Sequence, residues 1–145
     1  MIASLKEMGL FGLQIATDHG GIGLSTHSYL RVLQEIASRD TSIAVTLGAH
    51  QSIGLKALLL FGTQEQKQRY LPKLATGENV AAFALTEPGA GSDAAALKTH
   101  ADPLSDGSGY LLNGSKICIT NGGFADVFTV FARTSPAEED RKSVV

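Results

Sequence analysis

Phe83-Ala84-Leu85-Thr86-Glu87-Pro88-Gly89-Ala90-Gly91-Ser92-Asp93 is the stretch on which the fold reading turns. With Ala94 its glycines fit G-x-G-x-x-[GA], the pattern that cradles a pyrophosphate between a strand and a helix. An apolar run, Val80 to Leu85, even precedes it. Three features speak against that reading. Glu87-Pro88 stands where the pattern needs a tight strand-to-helix turn. The apolar stretch that follows ends near Ala101, too short for a parallel crossover of a dozen or more residues. No alternation of strands and helices leads into it. The glycines then belong to a turn in a β-region, and the segment marks a change of texture along the chain.

Upstream of it, residues 1–79 read as helical. Met1 to Met8 reads as the last turns of a helix, with Gly9 as its stop. Gly9, Gly12, Gly20, Gly21 and Gly23 exclude a helix in the next stretch. From Ser25 to Ser38, Tyr29, Leu30, Leu33, Ile36 and Ala37 recur at three- and four-residue steps, which predicts a helix with one buried face, capped by Ser25 or Thr26. Asp40-Thr41-Ser42 forms a break and a second cap. Ile43 to Phe61 carries one charge, Lys56, and an all-round apolar helix belongs in a core. Gly62 ends it. Thr63 and Gln66 have capping-box spacing for a polar helix, which Pro72 interrupts and Gly77 closes.

Downstream, residues 80–145 read as strands and turns. Leu97 to Ala101 and Tyr110-Leu111-Leu112 pair as a hairpin across Ser105-Asp106-Gly107-Ser108-Gly109. Asn113-Gly114 is a further turn signal. Ile117 to Thr120 and Val127 to Ala132 read as strands around the turn Asn121-Gly122-Gly123, and Pro136 to Lys142 as a charged loop. Val144 and Val145 read as the start of a strand. Short strands at this spacing predict a barrel or sandwich. The fold class is therefore α+β: a helical segment, then an antiparallel barrel or sandwich.

Composition narrows the function. The chain has 145 residues, 43% hydrophobic and 18% charged, with 12 basic and 14 acidic side chains. Neither nucleic acid nor an anionic membrane is the partner such a charge balance predicts. The single cysteine, Cys118, forms no disulfide within the chain and no thiolate cluster. His19, His27, His50 and His100 are too scattered for a metal site. No apolar run reaches the ~18 residues of a membrane span, and the N-terminus carries neither a signal-peptide pattern nor an Arg-rich presequence.

Several blocks in order then point to one family. Phe83 to Asp93 resembles the flavin-contacting segment of acyl-CoA dehydrogenases. Asn113-Gly114-Ser115-Lys116-Ile117-Cys118-Ile119-Thr120-Asn121-Gly122-Gly123 resembles that family's second flavin segment. Gln64-Glu65-Gln66-Lys67 and Tyr70 to Glu78 resemble the helix leading into its middle domain. Ala49-His50-Gln51-Ser52-Ile53-Gly54 resembles its long-chain and very-long-chain branch. The likeness spans residues 9 to 135.

That resemblance implies residues 1–79 from the N-terminal helical domain and 80–145 from a middle β-barrel domain that stops short, with the C-terminal helical domain absent. It implies FAD as cofactor, oxidation of a long-chain acyl-CoA to the trans-2-enoyl thioester, electron-transferring flavoprotein as acceptor, and a homo-oligomer. It implies a mitochondrial matrix or bacterial cytoplasm, with membrane association allowed for a longer enzyme. Phe83, Leu85, Thr86, Ser92, Ile119 and Thr120 would hold the cofactor. Phe83, Ser92, Ala49 and Ile53 would meet the substrate, and Ala44, Gly48 and Ala49 would leave room for a long acyl tail. The family's base is a glutamate from the part implied to be absent, so no catalytic residue is assigned and no turnover is expected from these residues alone.

Plainer roles stand beside these. Thr86 reads equally as a strand-end cap, Ser92 as a turn former, Thr120 as a strand residue, and the small helical residues as an aid to close packing. The family commonly has tryptophan where this chain has Cys118, which reads as a small buried hydrophobe. A related acyl-CoA oxidase-type flavoprotein and a non-enzymatic binding product are the competing readings.

Overall fold

The structure, a computed structural model, describes residues 2–134. Two compact units divide the chain. Unit 1 takes in the chain up to Phe83 together with Thr120–Thr129, and unit 2 takes in Ala84–Ile119 and the chain from Val130.

Unit 1 is helical, and its caps are those the residues predict. α1 (Ile2–Glu7) stops before Gly9, whose φ of +70° suits a residue without a Cβ. α2 (Thr26–Ala37) is capped by Ser25, whose hydroxyl accepts from the Ser28 N–H. α3 (Thr41–Gly48) is capped by Asp40, whose carboxylate accepts from the N–H groups of Ser42 and Ile43. The run continues through a π-helical turn, Ala49–Gly54, into α4 (Lys56–Phe61). α5 (Gln64–Thr76) begins with the full Thr63–Gln66 capping box and ends at Gly77 in the left-handed conformation. Gly21 lies between α1 and α2, where a Cβ would collide with the Ile15 carbonyl. The glycine-rich loop can therefore fold back on itself, and the Gly23 N–H bonds the Ile15 carbonyl.

Four details depart from expectation. Pro72 does not interrupt α5: the ring sits on the exposed side while Leu71, Leu74 and Ala75 are buried, and that burial offsets the one missing N–H bond. On α2, Tyr29 is buried and Leu33 and Ile36 pack on a core cluster, but Leu30 faces out. The helical run Thr41–Phe61 is not buried all round: Val45, Ile53, Leu60 and Phe61 are exposed. Its 21 residues, with a mean hydropathy of 1.4 over an 18-residue window, also reach the size of a membrane span by length and composition, contrary to the sequence expectation. The fully buried His50 and Gln51 and their bonds within the unit mark it as a core helix.

The core of unit 1 has two clusters. Ile15, Leu55, Leu71, Leu74, Ala75 and Ala81 form one, and Leu5, Phe11, Leu47 and Val80 the other. β1 (Ala81–Ala84) pairs with β4 (Val127–Val130). β2 (His100–Pro103) pairs antiparallel with β3 (Tyr110–Asn113) in unit 2, with His100 opposite Asn113. These two ladders form small sheets that do not close into a barrel. The predicted strand at Leu97 starts later, at His100, because Ala94–Ala96 forms a 3-10 turn first. No strand forms at Ile117 to Thr120: Cys118 and Asn121 both take positive φ, +54° and +66°, and an extended chain cannot pass through two such residues. The charged loop from Pro136 and the strand at Val144 lie outside the described residues.

Candidate functional site

In unit 2 the first motif forms a turn locked at both ends. The Glu87 N–H donates to the Ala90 carbonyl and the Ala90 N–H donates back to Glu87. The Glu87 carboxylate is buried and fully engaged. One oxygen accepts from the Lys98 N–H at 2.6 Å; the other accepts from the Thr99 N–H at 2.9 Å, the Thr99 hydroxyl, and Lys116 Nζ at 2.8 Å. Burial by itself would raise its pKa. The bonds from Lys116, Thr99 and Lys98 outweigh that and hold it at about 2, against the usual 4.5. A carboxylate so stabilised in its charged form and so fully bonded is a brace, not a proton acceptor.

Lys116 belongs to the second motif. Its ammonium donates to the Leu85 carbonyl at 2.9 Å as well as to Glu87. One residue on, the Ile117 N–H donates to the Thr86 carbonyl at 3.0 Å. These bonds lay Lys116–Ile117 alongside Leu85–Thr86, so within unit 2 the two motifs form one surface. Gly114 makes the approach possible, since a Cβ there would collide with the Thr99 side chain.

The sequence-predicted residues then fall as follows. Leu85 and Thr86 are half-buried just past β1, Ile119 is half-buried, and Ser92 is exposed after the turn, all in unit 2. In unit 1, Phe83 is half-buried on β1 and Thr120 is exposed. Ala49 and Ile53 both lie on the π-helical turn, but Ala49 is buried and Ile53 is 44% exposed, so they do not share one open face. Cys118 is exposed, which corrects its reading as a buried hydrophobe; the left-handed backbone at this position breaks the strand that would have turned it inward. An open concavity of about 410 Å³ in unit 2 is lined by Glu87, Lys98, Thr99, His100, Asn113 and Ser115 among others. None of the predicted cofactor residues lines it.

Unit 1 holds two buried polar braces whose bonding role sequence reasoning did not assign. His50 Nδ1 accepts from the Ala81 N–H at 2.9 Å, so Nε2 carries the proton and donates to the Leu74 carbonyl at 3.1 Å. Gln51 donates to the Leu10 carbonyl and accepts from the Gln14 N–H. The Leu55 N–H bonds the His50 carbonyl across the π-helical turn, and both neighbouring side chains are fully buried. The only signal in the sequence was a pair of polar residues inside an apolar helix.

Comparison with known proteins agrees with this layout. Residues 1–78 match the family model of the acyl-CoA dehydrogenase N-terminal domain, and 82–145 that of the acyl-CoA dehydrogenase middle domain. The human mitochondrial very long-chain specific acyl-CoA dehydrogenase is 58% identical over 130 residues, which is 90% of this chain and 20% of that protein. A Bacillus anthracis acyl-CoA dehydrogenase solved in complex with FAD superposes with a TM-score of 0.86 at 47% identity, covering 92% of this chain and 23% of that one. A chain in the structure of the electron transferring flavoprotein of Acidaminococcus fermentans gives 0.88 at 43%, covering 94% and 36%. The chain thus spans about a fifth of the length of the first curated relatives that it matches.

Proposed function

The chain belongs to the acyl-CoA dehydrogenase family, an oxidoreductase family that binds FAD, and from that premise we propose that it supplies flavin- and thioester-holding residues of an enzyme oxidising long-chain fatty acyl-CoA to trans-2-enoyl-CoA. Residues 1–79 would belong to the N-terminal helical domain and 80–145 to the middle domain. The observation that supports the reading best is the Lys116–Ile117 seam, which joins the two flavin-type motifs within unit 2.

The donor set fits the cofactor. Thr86 is half-buried and Thr120 exposed, and both offer a neutral hydroxyl. Glu87, the one buried carboxylate among the described residues, lies in the first motif, has its charge met by Lys116 of the second, and is held by Thr99 and Lys98. A neutral, hydrogen-bonding ring edge is the chemistry such hydroxyls recognise. When bound, FAD supplies the hydride acceptor. Thr86 and Thr120 would hydrogen-bond the ring, with Thr120 near N5. Phe83, Leu85 and Ile119 would pack beside it, and Ser92 would take the pyrophosphate and the pantetheine arm. Ala49 and Ile53, which do not share one open face, would each meet a different part of the acyl chain; a chain-length profile of a completed enzyme that peaks at short substrates would sink that part. Electron-transferring flavoprotein would accept the electrons of a homo-oligomeric enzyme in a mitochondrial matrix or a bacterial cytoplasm.

Thr86→Val and Thr120→Val remove one hydroxyl each at nearly constant shape. Each is expected to weaken FAD binding by roughly three- to tenfold, the worth of about 1 kcal/mol for one hydrogen bond. Quenching of flavin fluorescence in a titration reads this directly. Wild-type affinity in both variants would refute the assigned roles.

A further inference from the structure

We infer that Asn121 is the positioning residue of the second flavin-type segment, acting on Thr120 through the backbone; this rests on the flavin reading above. Asn121 is buried, at 7% exposure, and follows Thr120 directly. Its φ of +66° turns the chain into the left-handed region, which asparagine tolerates better than most residues. Its side-chain amide donates to the Thr46 carbonyl on α3 at 3.0 Å and to the Ala81 carbonyl on β1 at 3.3 Å. Its own carbonyl accepts from the Phe124 and Ala125 N–H groups, at 3.0 and 2.9 Å. One residue therefore fastens a helix, a strand and a turn, all within unit 1, and sets where the chain leaves Thr120.

The chemistry is specific to an amide. Two carbonyl oxygens need two N–H donors from one small group, and asparagine supplies both. Aspartate has the same size but at neutral pH no donor, so it would face two carbonyls with a charge. Glycine keeps the left-handed backbone and loses both bonds. A residue that acted only through backbone conformation would be replaced by glycine without loss; one that acts through its amide would not.

The test compares the full chain and its Asn121→Asp and Asn121→Gly variants after FAD loading, by fluorescence titration and by the visible circular dichroism of bound flavin. Thr129→Val is the control. It removes a 2.7 Å hydrogen bond to the Gly54 carbonyl in the same unit and does not adjoin Thr120 in sequence. The expected result is a roughly tenfold or larger loss of FAD affinity in both Asn121 variants and a changed visible dichroism of the flavin that remains. Thr129→Val should lower stability and leave the dichroism as in the parent. If Asn121→Asp does not fold, Asn121→Gly decides alone. Parent-like affinity and dichroism in Asn121→Gly would overturn the inference. A parent chain that binds no FAD would instead overturn the flavin reading, and this role with it.

Discussion

His50→Leu lowers the stability of the chain by about 3–4 kcal/mol at pH 7, as measured by urea unfolding. The imidazole is fully buried in unit 1. It accepts from the Ala81 N–H, donates to the Leu74 carbonyl, and meets the Phe11 ring edge-on, with centroids 5.1 Å apart. Leucine fills similar space and satisfies neither polar partner, and each buried group left unpaired costs about 1–3 kcal/mol. The same histidine makes stability depend on pH. Burial lowers its pKa from 6.5 to about 4, against the opposing pull of hydrogen bonds to the Leu74 and Phe11 backbones. Between those values the unfolded chain takes up a proton that the folded chain refuses. Stability is therefore complete above pH 6.5 and falls as the pH drops through about 4, by on the order of 3 kcal/mol. His50→Leu should remove that slope. A variant that keeps both its stability and the slope would contradict the brace.

Lys116→Met costs about 3 kcal/mol and weakens FAD binding as well. It leaves Glu87 buried without its cation, and breaking a buried pair from one side typically costs about 3–5 kcal/mol. The lower end applies because Thr99 and the Lys98 N–H still hold the carboxylate. The seam between the motifs also loses the bond to the Leu85 carbonyl. For Glu87 the sign is that of a depressed carboxylate. Its stabilisation is present above pH 4.5 and is lost as the pH falls through about 2. This window lies below that of His50, so an acid titration separates the two. In Lys116→Met the Glu87 window moves up toward the ordinary carboxylate range. Adding Glu87→Gln should restore part of the stability, because the uncompensated charge is gone. A double variant less stable than Lys116→Met would refute the pairing argument.

Local chemistry explains what could be read along the chain. Ser25, Asp40 and the Thr63–Gln66 box each act within three residues of their partners, so their helices were legible from spacing alone. The β2–β3 hairpin was legible because its turn, Ser105 to Gly109, is local, although its first strand starts later than the apolar run suggested. The two flavin-type motifs were legible as ordered blocks, and they carried the family. What failed was decided at long range. Pro72 stays helical because Leu71, Leu74 and Ala75 find a core that the pattern around the proline does not announce. The segment at Ile117 looked extended, but its partners are Thr86 and, further on, Ala81 and Thr46. The Lys116–Glu87 pair and the His50 brace join residues far apart in sequence, and no spacing rule reaches them.

The most direct test of the central claim is a visible absorbance spectrum of the purified chain after FAD loading and gel filtration. The account predicts flavin absorbance that travels with the protein peak and is perturbed relative to free FAD. All flavin in the small-molecule fraction, with the protein folded by circular dichroism, would contradict it: the two motifs would then form a joined surface that does not hold the cofactor.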